Sequence, residues 1–379
     1  NTISNFDPAY YDPARAVGLN ANGSVVILLP GSNRFNGLVR PEGSLPAEIQ
    51  NNPNLANVPA VAPRGLYDPK HYFMPRVGFS YSPFDDSKTA IRGGFGMYYD
   101  RIEGNIIFPL ENNPPFVESA SFENGNLSNI RGGAASALAP FGNITTISPD
   151  MKSSYTMNFS LGVQRELPFG IFIEATGVGN LGRNLTRQID LNSIPLSVQL
   201  ANPGVNTNLL RPYKGYSGIL QRVSDASSHY YAMQLYGAKR KGDLLATLSY
   251  TWSKVLSDAN VLTEQAEDGL INRRFNFGPA TFDRRHVFVA TYTYSVPFFN
   301  KTKGFLKALL DGYEISGITR LQAGRPYTIT AAAPIGGTRR ANVIEGVDPY
   351  IRDNRAWLNP AAFAAAPGRR LGNSAVGYV

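Results

Sequence analysis

The sequence of residues 75–101 alternates apolar with polar or very small side chains, and this pattern constrains the fold more than any other feature of the chain. Alternation with a period of two is typical of a β-strand with one apolar face. The apolar positions are Val77, Phe79, Tyr81, Thr89, Ile91, Phe95, Met97 and Tyr99. A turn at residues 83–87 separates the two runs, so the stretch predicts an antiparallel hairpin.

The opposite face of this hairpin is charged or nearly bare. It carries Arg76, Gly78, Ser80, Ser82, Lys88, Ala90, Arg92, Gly94 and Gly96. The wet face of a soluble antiparallel sheet rarely holds this much glycine. In a transmembrane β-barrel, apolar and aromatic side chains face lipid and polar side chains line a wet lumen, which explains the pattern better. An ordinary half-buried hairpin remains the alternative for one hairpin, so the interpretation depends on repetition.

The alternation recurs three more times along the chain. The further runs are residues 154–164 with 171–176, residues 231–236 with 244–253, and residues 288–295 with 313–322. Brief turns alternate with long aperiodic segments, as outer-membrane barrels require. We therefore predict an all-β protein, an antiparallel up-and-down transmembrane β-barrel segment of about eight strands from a larger barrel, with long extracellular loops.

The predicted organisation has three parts. Residues 1–74 and 324–379 are expected to be extracellular loop regions, the first with one small strand near the apolar run 25–29. Residues 75–323 hold the barrel hairpins, with loops at 102–151, 179–228 and 255–285 and a helix of about two turns at 305–310.

Composition narrows the protein class. The chain has 17% charged residues and 37 glycines. It has no cysteine, and this excludes a disulfide scaffold. No run approaches the ~18 consecutive apolar residues of a membrane helix. The first residues lack the basic start and apolar core of a signal peptide. The net charge of +8 comes from scattered pairs such as Arg273-Arg274 and Arg369-Arg370, which favour solvated loops over a nucleic-acid surface.

Motifs that carry chemistry are weak in this sequence. Residues 177–182 fit G-x-G-x-x-G, but no helical period follows and no acidic residue lies between Asp190 and Asp225, so a strand end entering a glycine-rich loop is the better interpretation. The histidines His71, His229 and His286 lack metal-ligand spacing. No nucleophile motif is present. We expect no enzyme activity and no cofactor.

A nucleic-acid partner is also not expected. Residues 273–277 interleave arginine with phenylalanine, a combination that can stack single-stranded nucleic acid, but a loop anchored by its aromatic side chains is favoured.

Four charged residues lie on the polar parity of their strands, namely Arg92, Glu174, Glu314 and Arg320. An arginine facing the hydrocarbon midplane would cost about 2–4 kcal/mol, so these side chains are predicted to face the lumen. There they could pair between strands, contact a plug domain or touch a passing ligand. All three alternatives stay open.

Several motifs together resemble a known family. The block at residues 75–100, SYTWSK at 249–254, FDRRHVF at 282–288, GITRLQAGRPYT at 317–328 and WLNPAAF at 357–363 are similar to the large TonB-dependent receptors with a carboxypeptidase-regulatory-like domain, especially the Oar-like proteins of Acidobacteria. The resemblance covers most of the chain from about residue 72 onward.

This resemblance implies an outer-membrane transporter of a Gram-negative bacterium, with about twenty-two strands, a plug in the lumen and energy supplied through TonB. The sequence contains no plug, TonB box or regulatory-like domain, and is expected to be an internal barrel piece. The implied partners are outer-membrane lipid, TonB and the plug through other parts of the protein, and, as a further candidate, a surface lipoprotein. The leading function is uptake or export of a bulky solute; the alternative is a structural or adhesion barrel without transport.

Overall fold

The computed structural model describes residues 3–43, 45–62, 72–117, 138–258, 276–297, 304–305, 312–332, 338–352, 357–365 and 374. In chain order the strands are β1 (Asn5–Phe6), β2 (Gly18–Leu19), β3 (Val26–Ile27), β4 (Leu38–Pro41), β5 (Ala60–Ala62), β6 (Arg76–Tyr81), β7 (Thr89–Tyr99), β8 (Ile144–Ile147), β9 (Tyr155–Leu167), β10 (Ile171–Asp190), β11 (Ile219–Lys239), β12 (Leu244–Ser257), β13 (Gly278–Pro279), β14 (His286–Ser295), β15 (Glu314–Gln322), β16 (Thr330–Ala332), β17 (Thr338–Arg340), β18 (Asn342–Val343) and β19 (Phe363–Ala364). The short helices are α1 (Gly104–Ile107), α2 (Leu196–Ala201) and α3 (Thr207–Leu210). In these ranges no helix has the length and apolar character needed to cross a membrane.

Eight long strands form one antiparallel sheet in the order β6, β7, β9, β10, β11, β12, β14, β15, with β8 and β13 paired beside this path. Each long strand pairs with the next long strand in sequence. For the pairs β6–β7, β9–β10 and β11–β12, a brief turn leaves the second strand no other position. Phe95, Phe159 and Leu248 are 40%, 37% and 49% exposed, so they do not meet in a dry core between two sheets. The predicted antiparallel up-and-down barrel segment is confirmed.

The strand register places the predicted apolar positions of all eight strands on one side of the sheet, here called the apolar face. One row of paired residues crosses every strand on this face: Tyr81, Ile91, Val163, Ala175, Leu235, Tyr250, Phe288 and Leu321. Many of these side chains are exposed, among them Val163 and Leu321. Exposed apolar surface on this scale marks contact with a membrane or a partner, and across a whole barrel face it indicates lipid.

The adjacent row lies on the other side, here called the polar face. Its residues are Ser80, Arg92, Gly162, Thr176, Gln234, Thr251, Val287 and Gln322. Seven of these eight are polar, charged or glycine. A change from an apolar to a polar row within a single step along the strands is the alternation expected of a barrel wall between lipid and a wet lumen.

The apolar band drifts along the strands from one edge of the sheet to the other. At the end of the sheet with the long loops, four strands have a basic residue just beyond their apolar positions: Arg183 in β10, His229 in β11, Lys254 in β12 and His286 in β14. In the cross-strand register, each of these residues is displaced by two positions along the strand from the one on the preceding strand. A band that is flat in the membrane drifts in this way only across inclined strands. Two residues per strand spacing correspond to an inclination of roughly 50°, close to that of closed barrels.

Three glycines on the apolar face, Gly93, Gly179 and Gly317, receive an aromatic ring from the neighbouring strand. A Cβ atom added to Gly179 would lie 2.1 Å from the Phe159 ring, and one added to Gly93 would lie 2.5 Å from the Phe79 ring. Each glycine is paired directly with its aromatic residue. These strand glycines therefore serve close side-chain packing over the backbone.

The prediction of a loop over residues 179–228 is wrong, because β10 continues to Asp190 and β11 begins at Ile219. The G-x-G-x-x-G segment accordingly lies inside β10 and not in a loop. Hydrogen bonding to the partner strand persists past an irregularity between Gly182 and Thr186, although the apolar alternation stops there. Similarly, β12 reaches Ser257, and β13 lies in the predicted loop 255–285. Most of the predicted helix at 305–310 lies outside the described residues.

Candidate functional site

The two ends of the sheet differ in the length of their connections. At one end, β6, β9 and β11 are joined to the next strand by residues 82–88, 168–170 and 240–243. At the other end, the connections span residues 100–154, 191–218 and 258–285. Short turns are periplasmic and long loops extracellular in outer-membrane barrels. This fixes the outer end of the sheet.

On the polar face, Arg92 and Glu174 lie near the centre of the sheet. Arg92 in β7 is exposed and is paired with Gly162 in β9. Glu174 in β10 is half-buried, and its carboxylate accepts a hydrogen bond of 3.0 Å from Thr176 Oγ1. The register separates the two charged residues by two strands, roughly 10 Å across the sheet.

The other two predicted residues lie in β15. Arg320 and Glu314 are both exposed, and Arg320 Nη2 donates a hydrogen bond of 3.0 Å to Gln322 Oε1. Arg320 shares a cross-strand row with Glu174 at a distance of four strands, roughly 19 Å. No ion pair within 4.0 Å joins any two of the four residues in the described sheet. They share one face without forming a cluster, and their contact with a ligand or plug stays a prediction.

Neutral polar side chains of this face pair with one another between these charges. Asn180 Nδ2 donates to Asn158 Oδ1, and the hydroxyls of Thr247 and Thr291 hydrogen-bond across β12 and β14. Such pairs stabilise strand pairing while leaving a surface of hydrogen-bonding groups. A surface of this kind suits water and polar solutes.

Over the outer end of the sheet, long connections and the N-terminal residues pack into a compact body, here called the outer-loop unit, formed by residues 3–62, 102–117, 138–151 and 191–218. Its core contains Phe6, Phe35, Leu38, Val58, Phe141, Ile144, Tyr216 and Ile219. Strands β1 to β5 belong to it, whereas the sequence predicted loop with one small strand. The apolar residues are too widely spaced along the chain to produce a periodic signal.

Buried asparagines hold the outer-loop unit together. Asn192 is fully buried, and its Nδ2 donates to the carbonyls of Tyr213, Tyr216 and Ser217 at 2.8–3.1 Å, while its Oδ1 accepts from Tyr213 N at 2.8 Å. Asn5 pairs in the same manner with both backbone groups of Ile147 at 2.9 Å. An amide side chain can replace a neighbouring strand as hydrogen-bond partner. The many asparagines of the predicted loops were the available signal for this unit.

The outer-loop unit is anchored to the barrel strands. Strand β8 pairs in parallel with the outer part of β11, from Ile219 to Arg222. Beside it, the Arg187 guanidinium is almost completely buried and forms two hydrogen bonds of 2.6 and 2.8 Å with the Asp225 carboxylate. A bidentate pair of this geometry fixes β10 against β11 beyond the apolar band.

Burial also sets the protonation state of Tyr216 in this core. Desolvation raises the pKa of the Tyr216 phenol well above its usual value of 10.0, so the hydroxyl stays neutral. Its oxygen donates a hydrogen bond of 3.0 Å to the Asn36 carbonyl. The residue joins two distant segments of the chain.

The described residues contain no group of three or more histidine, cysteine, aspartate or glutamate side chains suited to hold a metal ion. His229 contacts the Phe277 ring at 5.5 Å, and His286 Nδ1 hydrogen-bonds the Tyr250 hydroxyl at 2.8 Å. Both histidines are parts of the outer border of the apolar face. His71 and Arg273-Arg274 lie outside the described residues.

Two outer-membrane transporters are among the solved structures that are similar to part of this chain. The transporter YddB of Escherichia coli is 12% identical, covering 70% of this chain and 30% of its own, with a TM-score of 0.46. The FrpB iron transporter of Neisseria meningitidis (F3-3 variant) is 12% identical, covering 59% of this chain and 24% of its own, with a TM-score of 0.33. The chain thus spans less than a third of the length of either transporter.

No curated protein matches the sequence. A family model does match, that of the outer membrane beta barrel domain, and the match covers residues 1–379. Together with the confirmed strand order, this places the protein in the outer membrane. The chain belongs to the outer membrane beta barrel domain family.

Proposed function

We propose that the protein is part of a TonB-dependent receptor that moves a bulky solute across the outer membrane. The polar face carries the proposal, because one register sets polar or glycine positions side by side from β6 to β15. The motifs that resemble Oar-like TonB-dependent receptors support the same function. The outer-loop unit would catch the solute, and the polar face would let it pass.

The remaining machinery of this proposal belongs to other parts of the protein and to its partners. A plug domain would contact the polar face, where Arg92, Glu174, Glu314 and Arg320 offer charges of both signs. TonB would supply the energy, and a surface lipoprotein would deliver solute to the outer-loop unit. In this proposal the chain transports without catalysis and without a cofactor.

A second candidate function is adhesion without transport. The observation that favours it is the packed core of the outer-loop unit, which presents a shaped surface outside the barrel. Deletion of TonB distinguishes the two functions in cells that express the intact protein. Solute uptake must stop if the protein is a receptor, whereas surface adhesion must persist if it is an adhesin.

Two substitutions test the polar face within the intact protein. Arg92→Leu and Arg320→Leu should leave membrane insertion unchanged, because loss of a charge in a wet lumen is tolerated. Each should lower plug retention or uptake by about tenfold, the effect of one charged hydrogen bond. Arg240→Leu, at an exposed short turn, is the control. Better folding of the two variants, with uptake unchanged, would show that these arginines face lipid and would contradict the proposal.

A further inference from the structure

A groove of about 570 Å³ crosses the apolar face in the middle of the sheet. Its apolar wall consists of Phe159, Leu161, Gly177, Tyr231, Met233 and Trp252. These residues lie in β9 to β12, the four central strands, so neither edge strand of the sheet reaches the groove. It opens toward the surface that lipid covers.

The groove exists because Gly177 has no side chain. Gly177 is paired with Leu161 on one side and Met233 on the other, and both neighbours are exposed. A Cβ atom added at this position would meet nothing closer than the Leu161 carbonyl at 3.8 Å. The space above this glycine is therefore open, unlike that above Gly179, which the Phe159 ring fills.

The outer end of the groove is basic. Lys254 lines it there and is exposed on the apolar face. Arg285 borders the same end, where its carbonyl accepts a hydrogen bond of 3.0 Å from Ser253 N. The only acid within ion-pair distance of either side chain in the described residues is Asp283, whose Oδ2 lies 3.7 Å from Arg285 Nε. Lys254 also belongs to the inclined basic line along the outer border of the apolar face, between His229 and His286.

Two further acids lie beyond this line. Asp225 and Asp258 are close to Arg183 and His229, where they take part in contacts of the outer loops. Asp225 binds Arg187, and Asp258 accepts a hydrogen bond of 2.6 Å from Ser227 N. The basic end of the groove is therefore displaced from these carboxylates toward the membrane.

We infer that this groove binds a phosphorylated, acylated lipid of the outer leaflet. An acyl chain fits the apolar floor above Gly177, since burial of each CH₂ group contributes about 0.8 kcal/mol. The phosphate then lies at Lys254, a hydrogen-bond donor with a positive charge at the outer end of the groove. The inference requires only the location in the outer membrane and is independent of transport.

The test titrates the intact protein, purified in detergent, with three lipids and follows binding by native mass spectrometry. The lipids are bis-phosphorylated lipid A, dephosphorylated lipid A and phosphatidylcholine. We expect bis-phosphorylated lipid A to bind at least about tenfold more tightly than the other two. Equal binding of all three would identify a loose lipid shell and would overturn the inference.

Two variants separate the two halves of the site. Gly177→Val fills the floor, and Lys254→Gln removes a positive charge from an exposed side chain. Each should weaken binding of bis-phosphorylated lipid A about tenfold, and Lys254→Arg should restore it. Gly237→Val, at another open glycine of the apolar face, and Arg240→Gln are matched controls that should bind normally. Normal binding by both Gly177→Val and Lys254→Gln would refute the site.

Discussion

At the scale of single residues, the barrel wall places large aromatic side chains beside glycines of the neighbouring strand. The Phe159 ring covers Gly179 and the Tyr292 ring covers Gly317, with cross-strand pairing in both cases. A ring lying over a glycine shields the strand backbone and keeps the lipid-facing surface smooth. At these positions the aromatic residue and the glycine belong to one packing arrangement.

This arrangement makes Gly179 intolerant of a side chain. Gly179→Val should destabilise the protein by about 1–3 kcal/mol, because the new Cβ would overlap the Phe159 ring. Denaturant unfolding in detergent micelles measures the change. The double variant with Phe159→Ala should recover part of the loss, and Gly237→Val should cost little because its Cβ position is open. An equal loss in Gly179→Val and Gly237→Val would exclude ring packing as the cause.

Residue parity could be predicted from the sequence, since strict alternation needs no knowledge of the partner strand. The register groups Phe95, Phe159 and Leu248 on one face, as the alternation predicted. It sets Arg92 and Glu174 on the other face, and their orientation toward a lumen stays a prediction. Gly177 and Gly179 were misassigned to a strand end entering a loop. A glycine that accepts a ring from the next strand has the same local sequence as a turn, and only the register distinguishes the two.

At the scale of elements, the outer-loop unit is stabilised more by side-chain amides than by long strands. Asn192 alone satisfies three carbonyls and one N–H group between Tyr213 and Ser217. The segment has one further backbone partner, Phe141, which hydrogen-bonds Gly215 and Ser217. The remaining carbonyls depend on the buried Asn192 side chain.

Asn192→Ala should consequently unfold this segment locally. Unsatisfied carbonyls would cost about 2–4 kcal/mol, and amide hydrogen exchange between Tyr213 and Ile219 should accelerate accordingly. Exchange in β9 and β12 should not change, because their pairing does not involve Asn192. Asn22→Ala, at an exposed turn of the same unit, is the control. Faster exchange throughout the barrel strands would contradict a local role.

The ends of β10 and β11 could not be predicted for a related reason. Beyond Arg183 these strands leave the apolar band, so apolar residues are no longer needed on one face. Pairing continues to Asp190 and Leu220 through backbone hydrogen bonds and the Arg187–Asp225 ion pair. Alternation of apolar residues marks the part of a strand that contacts lipid and not the full length of the strand. The predicted loop 179–228 therefore included the outer parts of β10 and β11.

At the scale of the whole molecule, the eight strands form one continuous wall with two unlike faces and an inclined apolar band. The drift of two residues per strand from Arg183 to His286 gives that inclination without reference to any other protein. The bulk of the long connections lies at the outer end. The chain thus forms a section of a barrel wall. Its apolar face is assigned to lipid, its polar face to the lumen and its long-loop end to the outside.

Side-specific thiol labelling tests this assignment directly, because residues 1–379 contain no cysteine. Any cysteine elsewhere in the intact protein is first replaced by serine, so that each introduced thiol is unique. Arg92→Cys and Phe95→Cys lie on opposite faces of β7, and Ser160→Cys and Leu161→Cys are adjacent in β9. In the intact protein in lipid vesicles, a water-soluble thiol reagent should modify Arg92→Cys and Ser160→Cys. A lipophilic maleimide should prefer Phe95→Cys and Leu161→Cys, since their side chains contact hydrocarbon.

The neighbouring pair in β9 gives the sharper comparison, because Ser160 and Leu161 share depth and backbone environment and differ only in parity. Suppose that the water-soluble reagent modifies Leu161→Cys and leaves Ser160→Cys unmodified. The assignment of the two faces to lipid and to the lumen would then have to be exchanged. The register couples all eight strands, so that exchange would extend to Arg320 in β15 as well as Arg92 in β7. It would then remove the wet wall on which the proposed transport depends, together with the proposed lipid groove at Gly177.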